Sequence, residues 1–146
     1  VGGTALTGSH GIRITADIAA EDALSETYDM AVVPGGMPGT NHLDACEAVD
    51  TVLKNTAANG GYLAAICAAP LVLGKRGYLK GKEAICFPGF EGYLEGAAIS
   101  EKRVCRDGKI ITAAGAGVAL DFALMLVSAL YGEDAAEKLR ASVLAD

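Results

Sequence analysis

Short apolar pulses alternate with glycine-marked breaks and longer amphipathic stretches along this 146-residue chain. Ile12 to Ala16 reads as a short strand, and Met30 to Val33 as a buried one stopped by Pro34-Gly35-Gly36. From Leu43 to Asn59, the apolar residues Leu43, Ala45, Ala48, Val49, Val52 and Leu53 follow a helical period, which predicts one helix closed by Asn59-Gly60-Gly61. Tyr62 to Ile66 predicts the next strand, Pro70 to Lys75 a helix, and Ala84 to Cys86 a further buried strand. Val104-Cys105-Arg106 and Lys109 to Thr112 flank Asp107-Gly108, a dipeptide that supplies the positive φ of a tight hairpin turn. Val118 to Tyr131 is apolar on nearly all sides, so a sandwiched helix is expected; Gly132 ends it, and Glu133 to Ala141 predicts a short amphipathic helix.

Strands alternating with helices are the rhythm of a parallel sheet with helices on both faces. With no linker, repeat or low-complexity block, residues 1–146 read as a single domain. A net charge of −6 and a pI near 4.8, with no basic run, argue against nucleic acid as a partner. No apolar stretch approaches the roughly 20 residues of a membrane span, and the longest candidate, Val118 to Leu130, contains Asp121. Cys46, Cys67, Cys86 and Cys105 lie about twenty residues apart, a spacing that suits neither a zinc site nor a dense disulfide framework. Reduced thiols in a cytoplasm are the expectation, with no cofactor and no metal. The chain opens on Val1 and a Gly/Thr/Ser-rich stretch, so its amino terminus reads as incomplete.

The candidate chemistry centres on Ala64-Ala65-Ile66-Cys67-Ala68-Ala69-Pro70. Here an apolar strand turns abruptly into a helix, which mounts Cys67 at the carboxyl edge of the sheet beside unpaired helical amides. Such amides stabilise a thiolate or an oxyanion. Two further glycine-marked turns, Pro34-Gly35-Gly36-Met37-Pro38-Gly39 and Ala114-Gly115-Ala116-Gly117, should fall at the same edge and ring one pocket containing Cys67. Taken alone, a glycine pair after a strand is a turn and a lone cysteine is inert core. Their conjunction favours a site.

In order and at matching intervals, Val32-Val33-Pro34-Gly35-Gly36, the cysteine elbow, Cys86-Phe87-Pro88-Gly89-Phe90-Glu91 and Asp107-Gly108-Lys109-Ile110-Ile111-Thr112 resemble the ThiJ/PfpI superfamily, within it the Parkinson-disease protein deglycase branch and its bacterial relatives. The similarity runs from about Ser9 to the carboxyl terminus. It implies a flavodoxin-like sandwich, commonly a homodimer, with Cys67 as nucleophile in a strained backbone conformation. Position by position, it makes Gly35 and Gly36 part of the substrate loop and the amides of Gly36 and Ala68 the oxyanion donors, each worth ~3 kcal/mol on a developing alkoxide. It also implies a proton-carrying glutamate on a first strand-helix unit that this chain lacks. About forty residues of a complete member would precede Val1, with a separate fragment as one expected source, and without their central strand two sheet edges should be open.

The same resemblance marks departures. Where some relatives have a histidine near the cysteine, this chain has Phe87, which weakens a cysteine-peptidase or amidotransferase-like reading. The segment Ala113-Ala114-Gly115-Ala116-Gly117 lacks an arginine that relatives place near the oxidised cysteine. His10 matches a frequent arginine position near the site and dimer contact, so it is a possible modulator of substrate or thiol ionisation or else a plain surface residue; His42 reads as structural. Cys46 is expected within a helix, Cys86 in a buried strand and Cys105 at a peripheral turn, none with a partner. Asp17, Glu21, Asp22 and Glu26 read as a solvated acidic face. Two function classes remain: an enzyme acting on reactive carbonyls or glycated adducts, glyoxalase- or deglycase-like, and a non-catalytic redox sensor using oxidation of the same thiol.

Overall fold

Each apolar pulse becomes a strand or a packed helix in the computed structural model, which describes residues 1–145. Strands β1 (Ala5–Thr7) and β2 (Arg13–Thr15) form an antiparallel hairpin of their own; β1 lies in the Gly/Thr/Ser-rich opening, where no strand is expected from the pattern. Strand β3 (Met30–Val33) leads into helices α1 (Gly39–Asp44) and α2 (Glu47–Ala58), and β4 (Tyr62–Ile66) into α3 (Pro70–Lys75). Two short strands, β5 (Glu83–Ala84) and β6 (Ala98–Ile99), pair with each other. The hairpin β7 (Val104–Asp107) and β8 (Ile110–Ala113) precedes helices α4 (Ala119–Tyr131) and α5 (Glu133–Ser142).

The main sheet has the order β3-β4-β8-β7, parallel except for β7. Central strand β4 is buried on both faces, and alternation sends Leu63 and Ala65 to one core and Ala64 to the other. The first core joins Val33, Leu53, Val72 and Leu73 beneath α2 and α3; the second joins Ile111, Ala113 and Phe122 beneath α4. This is a flavodoxin-like α/β sandwich.

Long-range contacts revise several expectations. The single helix expected from Leu43 to Asn59 is two, because the Asp44 carbonyl is captured by Nη2 of Arg76 at 2.8 Å instead of continuing the helical ladder. Cys46 therefore sits at the break in extended backbone (φ −93°, ψ 117°) as the residue ahead of α2, not within a helix. The β7–β8 turn falls on Gly108-Lys109: Asp107 stays in register with Ile110, and its carboxylate accepts the Glu83 amide at 2.9 Å. Strand β5 ends at Ala84 since the Ile85 amide donates to the Thr112 hydroxyl, leaving buried Cys86 beyond the strand. Cys105, expected at the periphery, is buried inside β7 with its thiol 3.4 Å from the Glu83 carbonyl. Helix α4 is not sandwiched; Phe122 and Leu124 are buried while Leu120, Leu130 and Tyr131 face outward.

Strand β3 forms one edge of the sheet, and its Val32 is 45% exposed. Beside it lies an apolar cleft of about 320 Å³ walled by Tyr28, Met30, Val32, Ala48 and Val52. Cys67 is not one of its walls. The expected pocket ringed around the thiol is thus not this cleft: the described residues leave Cys67 partly buried at the rim of the sheet.

Candidate active site

Strand β4 delivers Cys67 at the carboxyl edge, and the residue after the strand must reverse direction to enter α3. Cys67 does so with φ of 65°, a left-handed conformation that costs a residue bearing a Cβ about 1–2 kcal/mol. Two main-chain bonds hold it there: its amide donates to the Ala113 carbonyl at 2.9 Å, and its carbonyl accepts the Phe87 amide at 2.8 Å. The thiol is therefore fixed by β8 and the segment after β5 as well as by its own strand. Strain retained at a single residue of a sheet edge is a feature of functional sites.

The parallel neighbour β3 ends one loop away from this elbow. A Cβ on Gly35 would lie 2.6 Å from the Cys67 Cβ, 2.6 Å from the Ile66 carbonyl oxygen and 3.3 Å from the Ala68 nitrogen. Only glycine allows the loop to come this close. Gly36 follows with φ of 93°, and its carbonyl accepts both the amide and the hydroxyl of fully buried Thr40, at 2.8 and 2.9 Å. Among the described residues, neither the Gly36 amide nor the Ala68 amide donates a hydrogen bond. Ala68 is 2% exposed, and an unpaired N–H on so buried a residue is uncommon. Unpaired amides thus follow directly on both partners of the Gly35–Cys67 contact, and amides of this kind are the donors that an oxygen anion requires.

The third glycine loop closes the rim. A side chain at Gly115 would meet the Phe87 ring at 3.3 Å, and one at Gly117 would meet the Arg103 guanidinium at 3.3 Å. The Phe87 ring therefore packs against this loop, while its amide holds the Cys67 carbonyl. His10 occupies the exposed tip between β1 and β2, and its described side-chain hydrogen bond is with adjacent Ser9 at 3.1 Å. His42 is exposed on α1. Asp17, Glu21, Asp22 and Glu26 are exposed.

The fold brings together Cys67, Gly35, Gly36 and Ala68, and leaves His10 on the separate hairpin. Burial, followed by the negative charge of Glu91, pushes the Cys86 thiol up to about 11. Burial also pushes the Cys105 thiol up. Sequence reasoning missed Thr40, whose signal is a hydroxyl residue four places after a loop glycine at a helix start. It also missed Arg76, whose acceptors on Asp44 and Asp50 lie 32 and 26 residues away and leave no local mark.

Such an α/β sandwich, with a strained cysteine at a strand-helix junction facing a glycine loop, defines the class. The chain matches the DJ-1/PfpI family over residues 1–129 and belongs to it. It is 36% identical over 138 residues to Protein DJ-1 homolog A of Arabidopsis thaliana, which covers 92% of this chain and 35% of that protein. The chain therefore spans about a third of that relative's length. Over 130 residues it is 32% identical to the Caenorhabditis elegans protein named glutathione-independent glyoxalase DJR-1.2, covering 88% of this chain and 69% of that one. The solved structure of oxidized Toxoplasma gondii DJ-1 superposes with a TM-score of 0.93 at 36% identity, covering 99% of this chain and 79% of that one. No helix among the described residues is long and apolar enough to cross a membrane.

Proposed function

We propose that the chain carries the cysteine site of a glyoxalase- or deglycase-like enzyme that acts on small reactive carbonyls, with Cys67 as nucleophile. The observation that carries the reading is a half-buried cysteine at φ of 65°, packed against the Gly35 loop, with the next amide on each side of that contact, Gly36 and Ala68, donating to nothing in the chain. With a 2-oxoaldehyde such as methylglyoxal, the Cys67 thiolate adds to the aldehyde carbon and forms a carbon–sulfur bond. The carbonyl electron pair moves onto oxygen, where the Gly36 and Ala68 amides receive it. Protonation gives a hemithioacetal. Transfer of a proton from that carbon to its neighbour yields a hydroxyacyl thioester, and water releases lactate and the thiol. Gly35 admits the loop to the reacting centre, and Phe87 supplies an apolar wall. The relative named as a glutathione-independent glyoxalase supports this choice of chemistry. We further infer a homodimer working in the cytoplasm, with His10 as a modulator.

A redox-sensor reading of the same thiol draws support from the oxidized state of the similar Toxoplasma gondii structure. Lactate formation from methylglyoxal by the intact polypeptide decides between them. Enzymatic production lost in Cys67→Ser is expected; absence of turnover combined with ready conversion of Cys67 to sulfinate under dilute peroxide would favour the sensor.

A further inference from the structure

We propose that Arg76 is a positioning residue for the amide pair, clamping α1 to α3 and thereby setting the Gly36 loop against the Cys67 elbow. The inference rests on the carbonyl-chemistry reading of Cys67. Helix α1 starts three residues after Gly36 and α3 three residues after Cys67, and each has only six residues. Helices this short have little stability of their own, so their placement depends on tertiary contacts.

Arg76, directly after α3, supplies those contacts through all three guanidinium nitrogens. Nη1 donates to Asp44 Oδ1 at 2.8 Å and to the Val72 carbonyl at 3.0 Å, Nη2 to the Asp44 carbonyl at 2.8 Å, and Nε to Asp50 Oδ1 at 2.8 Å. Lys75 takes the remaining Asp44 oxygen, Oδ2, at 2.6 Å. The arginine side chain is 15% exposed and that of Asp44 19%, which shields this pair from solvent more than an ordinary surface bridge. At the other end of α1, Thr40 grips the Gly36 carbonyl with both its amide and hydroxyl. A continuous bonded path therefore runs from the Gly36 carbonyl through α1, Asp44, Arg76 and α3 to the Ala68 carbonyl, one residue's backbone from each unpaired amide. Charge alone would not substitute for Arg76, because one ammonium cannot reproduce a planar fork that serves both the side chain and the carbonyl of Asp44.

Displacing the amides should slow addition to a carbonyl, which builds charge on oxygen, while sparing alkylation of the fully ionised sulfur, which does not. The experiment compares R76Q, R76K and D50A in the intact polypeptide, with methylglyoxal turnover and the pH-independent plateau rate of iodoacetamide labelling of Cys67 measured well below each melting temperature. R76Q should lose about tenfold in kcat with KM within about twofold, since misplacement by 1 Å costs about a hundredfold. R76K should lose about threefold, and D50A, which severs only the α2 arm, should stay within about twofold. Labelling rates should match wild type throughout. An unchanged kcat in R76Q, or turnover and labelling falling together, overturns the clamp; should R76Q not fold, R76K decides by the same readouts. Absence of lactate from the wild type would overturn the reading of Cys67 itself and the clamp with it.

Discussion

Replacing Gly35 by alanine tests the site where it is tightest. The added methyl would sit 2.6 Å from the Cys67 Cβ and 2.6 Å from the Ile66 carbonyl oxygen. That is about 0.9 Å short of a comfortable carbon–carbon contact. Gly35 does not have a positive φ, so the effect is steric and not conformational. Both obstructing atoms belong to backbone or to the strained elbow, so neither can swing aside as a flexible side chain would. Overpacking of this kind costs about 1–3 kcal/mol, equivalent to a melting-temperature loss of about 3–10 °C in a chain of this size. Relief requires the loop and elbow to separate by most of that shortfall, and a shift near 1 Å at reacting groups lowers turnover about a hundredfold. Gly36→Ala is the control: its Cβ meets nothing within 4 Å, so it reports the cost of φ of 93° without a clash. Initial rates of lactate formation and thermal melts, taken on both variants and wild type, read the two effects separately. If Gly35→Ala melted and turned over like wild type, the close approach of loop and elbow would be refuted.

Two further outcomes follow from ionisation. Cys86 titrates at about 11 and is 1% exposed, and Cys105 is equally buried. At pH 8 about a thousandth of Cys86 would be thiolate, so mass-spectrometric mapping of iodoacetamide adducts on folded protein should find Cys67 labelled well before either; early labelling of Cys86 would contradict its packing. For acid stability, burial works to raise the Asp44 carboxyl, but hydrogen bonds and charge from Lys75 and Arg76 outweigh it and hold the group below its ordinary value. Asp107 is held low first by the Glu83 amide. A depressed carboxylate stabilises the fold fully above its unfolded value and loses that contribution as pH falls through the folded one. Urea midpoints should therefore drop below about pH 4, and D44N should flatten the drop; parallel curves would show that the ion cluster contributes nothing.

Local pattern was sufficient wherever an element is bounded by residues that cannot continue it. β3 before Pro34-Gly35-Gly36, β4 before the elbow, and α3 beginning at Pro70 all lie where apolar runs meet such breakers. The Cys67 elbow was legible for the same reason, because a buried strand running into Ala-Ala-Pro leaves one residue to make the turn. Interruptions caused by distant partners were not legible. The break at Cys46 depends on Arg76 reaching back across the fold, and the burial of Cys105 depends on β5 packing against β7. The exposed flank of α4 likewise reflects how little of its circumference β8 and α5 cover, which apolar composition cannot reveal.

The uncovered margin of β3 runs without interruption into Pro34, Gly35 and Gly36. Any polypeptide that zips onto that margin takes hold of the same ribbon whose end packs against the Cys67 elbow. Occupancy at the flank and the geometry of the elbow then form one mechanical problem.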